Sequence, residues 1–151
     1  MKYCIIVLLL SLTSCWIETD PEAQERREKE KAEAALEKEV SPIVEDYFDY
    51  CYEGDIDRIF ASYSTQHLQR LEKLYGGQKA LYDLYEKNKL GLKTIGENAE
   101  IKRVKFHGRV YAIVEIDSVG GEEYFAMIRQ DRSWKIHYTS SSRFELISSL
   151  R

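Results

Sequence analysis

The chain has 151 residues, room for one modest domain, with 22 Lys and Arg against 26 Asp and Glu and a net charge of −4. That balance argues against nucleic-acid binding, which uses a concentrated basic surface. Only three cysteines occur, Cys4, Cys15 and Cys51, so stability has to come from a packed core rather than a disulfide framework.

Lys2 gives a short positive start, and Tyr3 to Leu10 form an apolar run. The run is too short for a bilayer, which needs about 20 apolar residues, but it has the length of a signal-peptide hydrophobic region. Leu12-Thr13-Ser14-Cys15 follows at once. This tetrad resembles the lipobox of bacterial lipoproteins in all four positions. The resemblance implies a signal peptide over 1–14, cleavage between Ser14 and Cys15, a diacylglyceryl group on the Cys15 thiol and acylation of the new amine, typically by palmitate. Small residues before the cysteine let a peptidase approach the backbone, and only the thiol accepts the lipid. Each buried methylene contributes about 0.8 kcal/mol, and stable anchoring takes two chains, which this modification supplies. Trp16 stands where enteric lipoproteins retained at the inner membrane carry Asp, so in a cell with two membranes the resemblance points to the outer one. With Cys4 removed and Cys15 acylated, Cys51 is the only free thiol and the mature protein has no intramolecular disulfide. Losing Lys2 leaves 21 basic and 26 acidic side chains, a mature charge of −5.

Residues 21–40 are charged and built from strong helix formers. Asp20 and Pro21 suit an N-cap and first helical position, and Glu22–Arg26, Glu25–Lys29 and Glu28–Lys31 lie about one turn apart. The few apolar positions (Ala34, Ala35, Leu36, Val40) predict a solvated spacer, about 30 Å long at 1.5 Å per residue. Ser41-Pro42 predicts a fresh helix start, so the domain is expected over 41–151, after a lipidated cysteine and tether over 15–40. Residues 43–53 read as an amphipathic helix through Ile43, Val44, Tyr47, Phe48 and Cys51. Gly54 and Asp55 suit its cap and the start of the next helix, 56–63. Further helical stretches follow over 65–75 and 78–90, separated by Gly76-Gly77 and closed by Gly91.

After Gly96 the period changes to two. Four antiparallel strands are predicted over 99–106, 109–117, 122–130 and 133–139, joined by turns at His107-Gly108, Ser118 to Gly121 and Asp131-Arg132. Short loops favour a meander, and helices followed by strands favour an α+β fold with helices packed on one sheet face. Both faces of the central strands carry apolar residues. Val110, Ala112, Val114 and Ile116 are assigned to one, and Tyr111, Ile113, Phe125 and Met127 to the other. A sheet with one solvated face should alternate more cleanly. The second face is therefore expected to be covered by the C-terminal segment (Phe144, Leu146, Ile147, Leu150), by a second copy, or by another protein.

From Ser41 onward the layout resembles the nuclear transport factor two-like superfamily. The features are a first amphipathic helix, Gly54-Asp55 opening a short second helix (Ile56, Ile59, Phe60), a further helical region, and a meander ending in Trp134-Lys135-Ile136. The resemblance implies a curved sheet wrapped around a long helix to form a cone, often with a ligand pocket inside, and it implies sheet-to-sheet dimers. The family's strand between the second and third helices is not visible in the alternation here.

Enzymes of that superfamily place Asp, His or Tyr inside the cone. Asp46, Asp57, His67, His107 and His137 are the candidates, but neither His107 nor His137 has a carboxylate at a spacing that would fix its tautomer, and His67, early in a helix, is expected to be solvated. No His/Cys/Asp cluster has zinc-type spacing, and no nucleophile elbow or phosphate-binding glycine loop occurs. Cys51 lies on an apolar helix stripe, where core packing is the expected role. The ten tyrosines of the mature chain combine apolar area with a polar tip, which suits a pocket or an interface.

The sequence therefore predicts a non-catalytic, lipid-anchored binding or accessory protein of the bacterial cell envelope, without metal or cofactor. Cys15 is its lipidation site, and Tyr111, Ile113, Phe125, Met127, Trp134 and Tyr138 are its candidate residues for a small apolar ligand or a partner. The partner would be a second copy or an envelope protein on the sheet face. The alternatives are an isomerase- or dehydratase-like enzyme of the same fold, or an interaction-only, immunity-type lipoprotein. A cone packed solid by Tyr and Trp would argue against both the ligand-binding and the enzyme readings, and an open cone holding an Asp or His bonded to Tyr would favour the enzyme.

Overall fold

The computed structural model describes residues 20–108 and 110–150; the expected signal region, the Leu12-Thr13-Ser14-Cys15 tetrad and Trp16 lie outside the described residues. Helix α1 (Pro21–Glu53) begins as expected, with the Asp20 carboxylate accepting from the Glu22 amide at 3.1 Å. It then departs from expectation, running through Ser41-Pro42 as one helix of 33 residues. An interior proline costs about 3 kcal/mol. The buried stripe is continuous across it, however, and includes Leu36 and Val40 upstream as well as Val44, Tyr47, Phe48 and Cys51. Burial contributes about 1.5–3 kcal/mol per large aliphatic side chain, so Leu36 and Val40 together offset the defect. The helix start expected at 41 is thus an interior position. The solvated part of α1 ends near Ala35, and Leu36 and Val40 belong to the core.

Gly54 ends α1 in the left-handed region at φ +70°, where its amide donates to the Cys51 carbonyl and that of Asp55 to the Tyr50 carbonyl. Helices α2 (Ile56–Ser62) and α3 (Thr65–Tyr75) follow, with Asp55 and Ser64 as side-chain caps. Between them the chain touches β4 through one parallel bridge, Tyr63 to Ile136. That bridge is the one β contact between α2 and α3 among the described residues. Helix α4 (Gln78–Lys87) stops before the expected Leu90, and α5 (Lys89–Asn98) takes in Leu90 and runs on through Gly91, the expected end, and past Gly96. Gly96 sits in α5 against α1, where a Cβ would lie 2.5 Å from the Phe48 carbonyl oxygen and 2.6 Å from the Tyr52 nitrogen. The glycine that reads as a breaker is a close helix–helix contact.

Strands β1 (Glu100–His107), β2 (Tyr111–Ser118), β3 (Gly121–Gln130) and β4 (Ser133–Ser140) pair in the order β1-β2-β3-β4. The result is the expected α+β arrangement, helices followed by a curved, unclosed antiparallel sheet. Helix α6 (Arg143–Ser149) closes the described chain.

The register corrects the assignment of faces. Val114 pairs with Phe125 and Ala112 with Met127, and directly opposed residues share a face. Phe125 and Met127 therefore point with Val114 and Ile116 toward α1, in one cluster with Trp134 and Ile136. The other face carries Ile113, Tyr124 and Ala126 under Leu146 of α6, with Tyr138 and Leu150 packed beside them. Part of that face is thus covered by the chain itself, through Leu146 and Leu150, while Phe144 stays 81 % exposed.

Candidate functional site

The space between α1 and the sheet is occupied by aromatic side chains. Tyr47 stands edge-on to Phe125, ring centres 5.6 Å apart, with Phe48 against both. The Tyr47 and Tyr63 hydroxyls are 3.2 Å apart, and those of Tyr63 and Tyr85 are 3.0 Å apart. Three phenols from α1, the α2–α3 junction and α4 thus form one hydrogen-bonded chain leading from the cone's interior toward its rim. Burial raises Tyr47 and Tyr63 well above the usual tyrosine range and raises Tyr85 too. Cys51 lies next to Tyr47, fully buried, and burial pushes its thiol up to about 11. A thiol held neutral in this way is a core residue and a poor nucleophile.

At the other side of Tyr63, its ring meets His67 at 4.8 Å between ring centres; His67 is buried, not solvated as its place early in a helix predicts, because that turn of α3 packs on Tyr63 and β4. Burial, then the nearby Arg70 and His137, lower His67 to about 4, and its Nδ1 has no hydrogen-bond partner among the described residues. His137 falls in the same direction through burial and Arg70, with its Nδ1 2.9 Å from the Ser64 hydroxyl. The phenols, the thiol and both imidazoles of this region are therefore held in their neutral forms. Asp46 and Asp57 are exposed on α1 and α2, and His107 is half-buried at the end of β1. Among the described residues no group of three or more His, Cys, Asp or Glu side chains could hold a metal.

The phenol chain ends at an open, apolar cleft of about 320 Å³ between α4 and α5, lined by Leu84, Tyr85, Asn88, Gly91, Leu92 and Ile95. Its size is at the lower end for small-molecule pockets. Its floor is the core itself, since Leu92 is buried and Tyr85 and Ile95 pack against it. Asn88 contributes a polar group at the rim, and Gly91 leaves space, because nothing lies within 4 Å of where its Cβ would be.

The structure does not bring the six sequence-predicted residues together. Phe125, Met127 and Trp134 are buried facing α1, where the Trp134 indole donates to Glu39 at 3.2 Å. Ile113 is buried beneath α6. Tyr111 and Tyr138 are half-buried, the first 5.7 Å from the His137 ring and the second under the Arg70 guanidinium. The cleft was not anticipated, because Gly91 reads as an end. The signal was present: Leu84, Asn88, Gly91, Leu92 and Ile95 recur at three- and four-residue spacing across it.

Residues 35–139 match the family described as "Putative lumazine-binding", whose fold is of the nuclear transport factor two-like type. The chain belongs to that family. The match begins at Ala35, where α1 becomes buried, and ends within β4, so it takes in the phenol chain and the cleft of this lumazine-binding-type domain. No curated protein and no solved structure matches the chain.

Proposed function

We propose that the protein is a lipid-anchored, non-catalytic binding protein of the bacterial cell envelope. It takes a small, flat, apolar ligand, of the size of the lumazine ring system in the family's description, in the cleft between α4 and α5. The observation that carries this reading is the cleft itself, an apolar recess lined by Tyr85, the outer member of the phenol chain. Tyr47, Phe48, Phe125 and Met127 fill the cone's centre, which goes against the pocket expected inside it; the family's description is what favours a ligand, at the rim instead. The neutral state of the buried phenols, thiol and imidazoles supports a binding role, because general acid–base work needs a group titrating near the working pH. The lipobox tetrad supports anchoring through Cys15, with Pro21 to Ala35 as a solvated helical spacer of about 22 Å.

A second reading is favoured by one surface feature. A groove of about 500 Å³ runs beside Ala32, Leu36 and Trp134, with Phe106 and Val110 at 47 % and 55 % exposure on its edge, and it suits an envelope protein partner.

Titration with naphthalene, an apolar two-ring probe of lumazine's size, followed by its own fluorescence, tests the ligand. Saturable binding is expected, weakened at least tenfold by Gly91→Leu, which fills the cleft from an open position. Absence of saturable binding, or equal binding by the filled variant, overturns the reading. For the anchor, Cys15→Ser is expected to stay uncleaved and to lose palmitate labelling.

A further inference from the structure

On the sheet face opposite α1, the edge strand β1 presents Arg103, Lys105 and His107 in alternation. Their partners on β2 are Glu115, Ile113 and Tyr111. Arg143, the first residue of α6, closes a small cleft over Ile113 with Arg103 and Lys105. The cleft holds three fixed cations and one carboxylate, Glu115, an excess of two positive charges in a chain whose net charge is −4. Among the described residues, Arg103, Lys105 and Arg143 make no ion pair, unlike Arg58, Lys79, Lys89, Lys102 and Arg129.

We propose that Arg103, Lys105 and Arg143 form an anion site for a phosphate group. Two guanidinium groups offer planar forks of donors that fit phosphate oxygens in pairs, and Lys105 adds a half-buried point charge. A phosphate monoester or inorganic phosphate, as the dianion, balances the excess of two charges, and a phosphodiester headgroup balances one of them. The Ile113 floor removes water from one side of the cleft and so strengthens each contact. The cleft is too small for a ring system, and a phosphate would sit at its mouth within reach of the three cations. The site lies on the opposite face of the sheet from α1 and is independent of the apolar cleft. A free phosphate ester and a phospholipid headgroup share this chemistry.

The test is amide NMR on the full chain in uncharged detergent micelles, titrated with inorganic phosphate in one arm and with micelle-incorporated phosphatidylglycerol in the other. Saturable shifts at Arg103, Lys105, Ile113 and Arg143 are expected in at least one arm, and the responding arm identifies the source. The double variant Arg103→Gln/Lys105→Gln should weaken the response at least tenfold, and Lys73→Gln, on exposed α3, should leave it unchanged. No saturable shift in either arm, an unaffected double variant, or equal loss in Lys73→Gln overturns the site.

Discussion

Gly91 and Gly96 both lie within α5, and the same substitution at each should act with opposite sign. At Gly96 a methyl would meet two backbone atoms of α1, the Phe48 carbonyl oxygen at 2.5 Å and the Tyr52 nitrogen at 2.6 Å. Neither can swing aside as a flexible side chain could, so α5 would have to move away from α1. Overpacking of this kind costs about 1–3 kcal/mol, against which alanine recovers about 0.5–1 kcal/mol of helix preference. Gly96→Ala should therefore destabilise by about 1–2 kcal/mol. At Gly91 a Cβ meets nothing within 4 Å, so Gly91→Ala keeps the helix preference and should stabilise by about 0.5–1 kcal/mol. With about 4 °C per kcal/mol for a domain of this size, thermal denaturation should show Gly96→Ala about 4–8 °C below the parent and Gly91→Ala about 2–4 °C above it. A Gly96→Ala protein as stable as the parent would refute the close approach of α1 and α5, and with it the account of why a glycine stands inside that helix.

Acid should weaken the fold through His67. Its folded pKa is depressed from 6.5 to about 4, so between those values the unfolded chain binds a proton that the folded chain does not. Stability is therefore full above pH 6.5 and falls as the pH drops toward 4, by up to about 3 kcal/mol at 1.36 kcal/mol per pKa unit; His137 acts in the same direction. Urea denaturation of the parent and of His67→Phe between pH 7 and 4 checks this, and an equally steep fall in the variant would reject it. Tyr63→Phe removes the middle hydroxyl of the phenol chain and leaves the buried Tyr47 hydroxyl without its partner. A loss of about 1–3 kcal/mol is expected, larger than for Tyr85→Phe at the rim; a change in the same urea measurement below about 0.5 kcal/mol would show that the chain contributes little.

Much of the fold is legible in the sequence because its signals are local. Asp131 and Arg132, both at positive φ, join Gln130 to Ser133 in a two-residue hairpin turn, and Asp20-Pro21 and Gly54 mark the true ends of α1. What misleads is any feature whose meaning depends on a distant neighbour. Pro42 reads as a start until Leu36 and Val40 are found buried on the same stripe as Val44, and Gly96 reads as a stop until α1 lies against it. The face of Phe125 depends on register. The turn between β2 and β3 joins Ser118 to Gly121, so every β2 residue of even number opposes a β3 residue of odd number, and alternation along each strand alone cannot say so. The candidate site follows the same division. Tyr47, Tyr63 and Tyr85 are conspicuous as tyrosines, but their meeting through two hydroxyl contacts joins three elements up to 38 positions apart. The cleft beyond them exists only because α5 continues through Gly91. A candidate site assembled this way leaves its chemistry in the composition and its location in the packing, so single-position changes such as Gly91→Leu discriminate better than removal of any one conspicuous side chain.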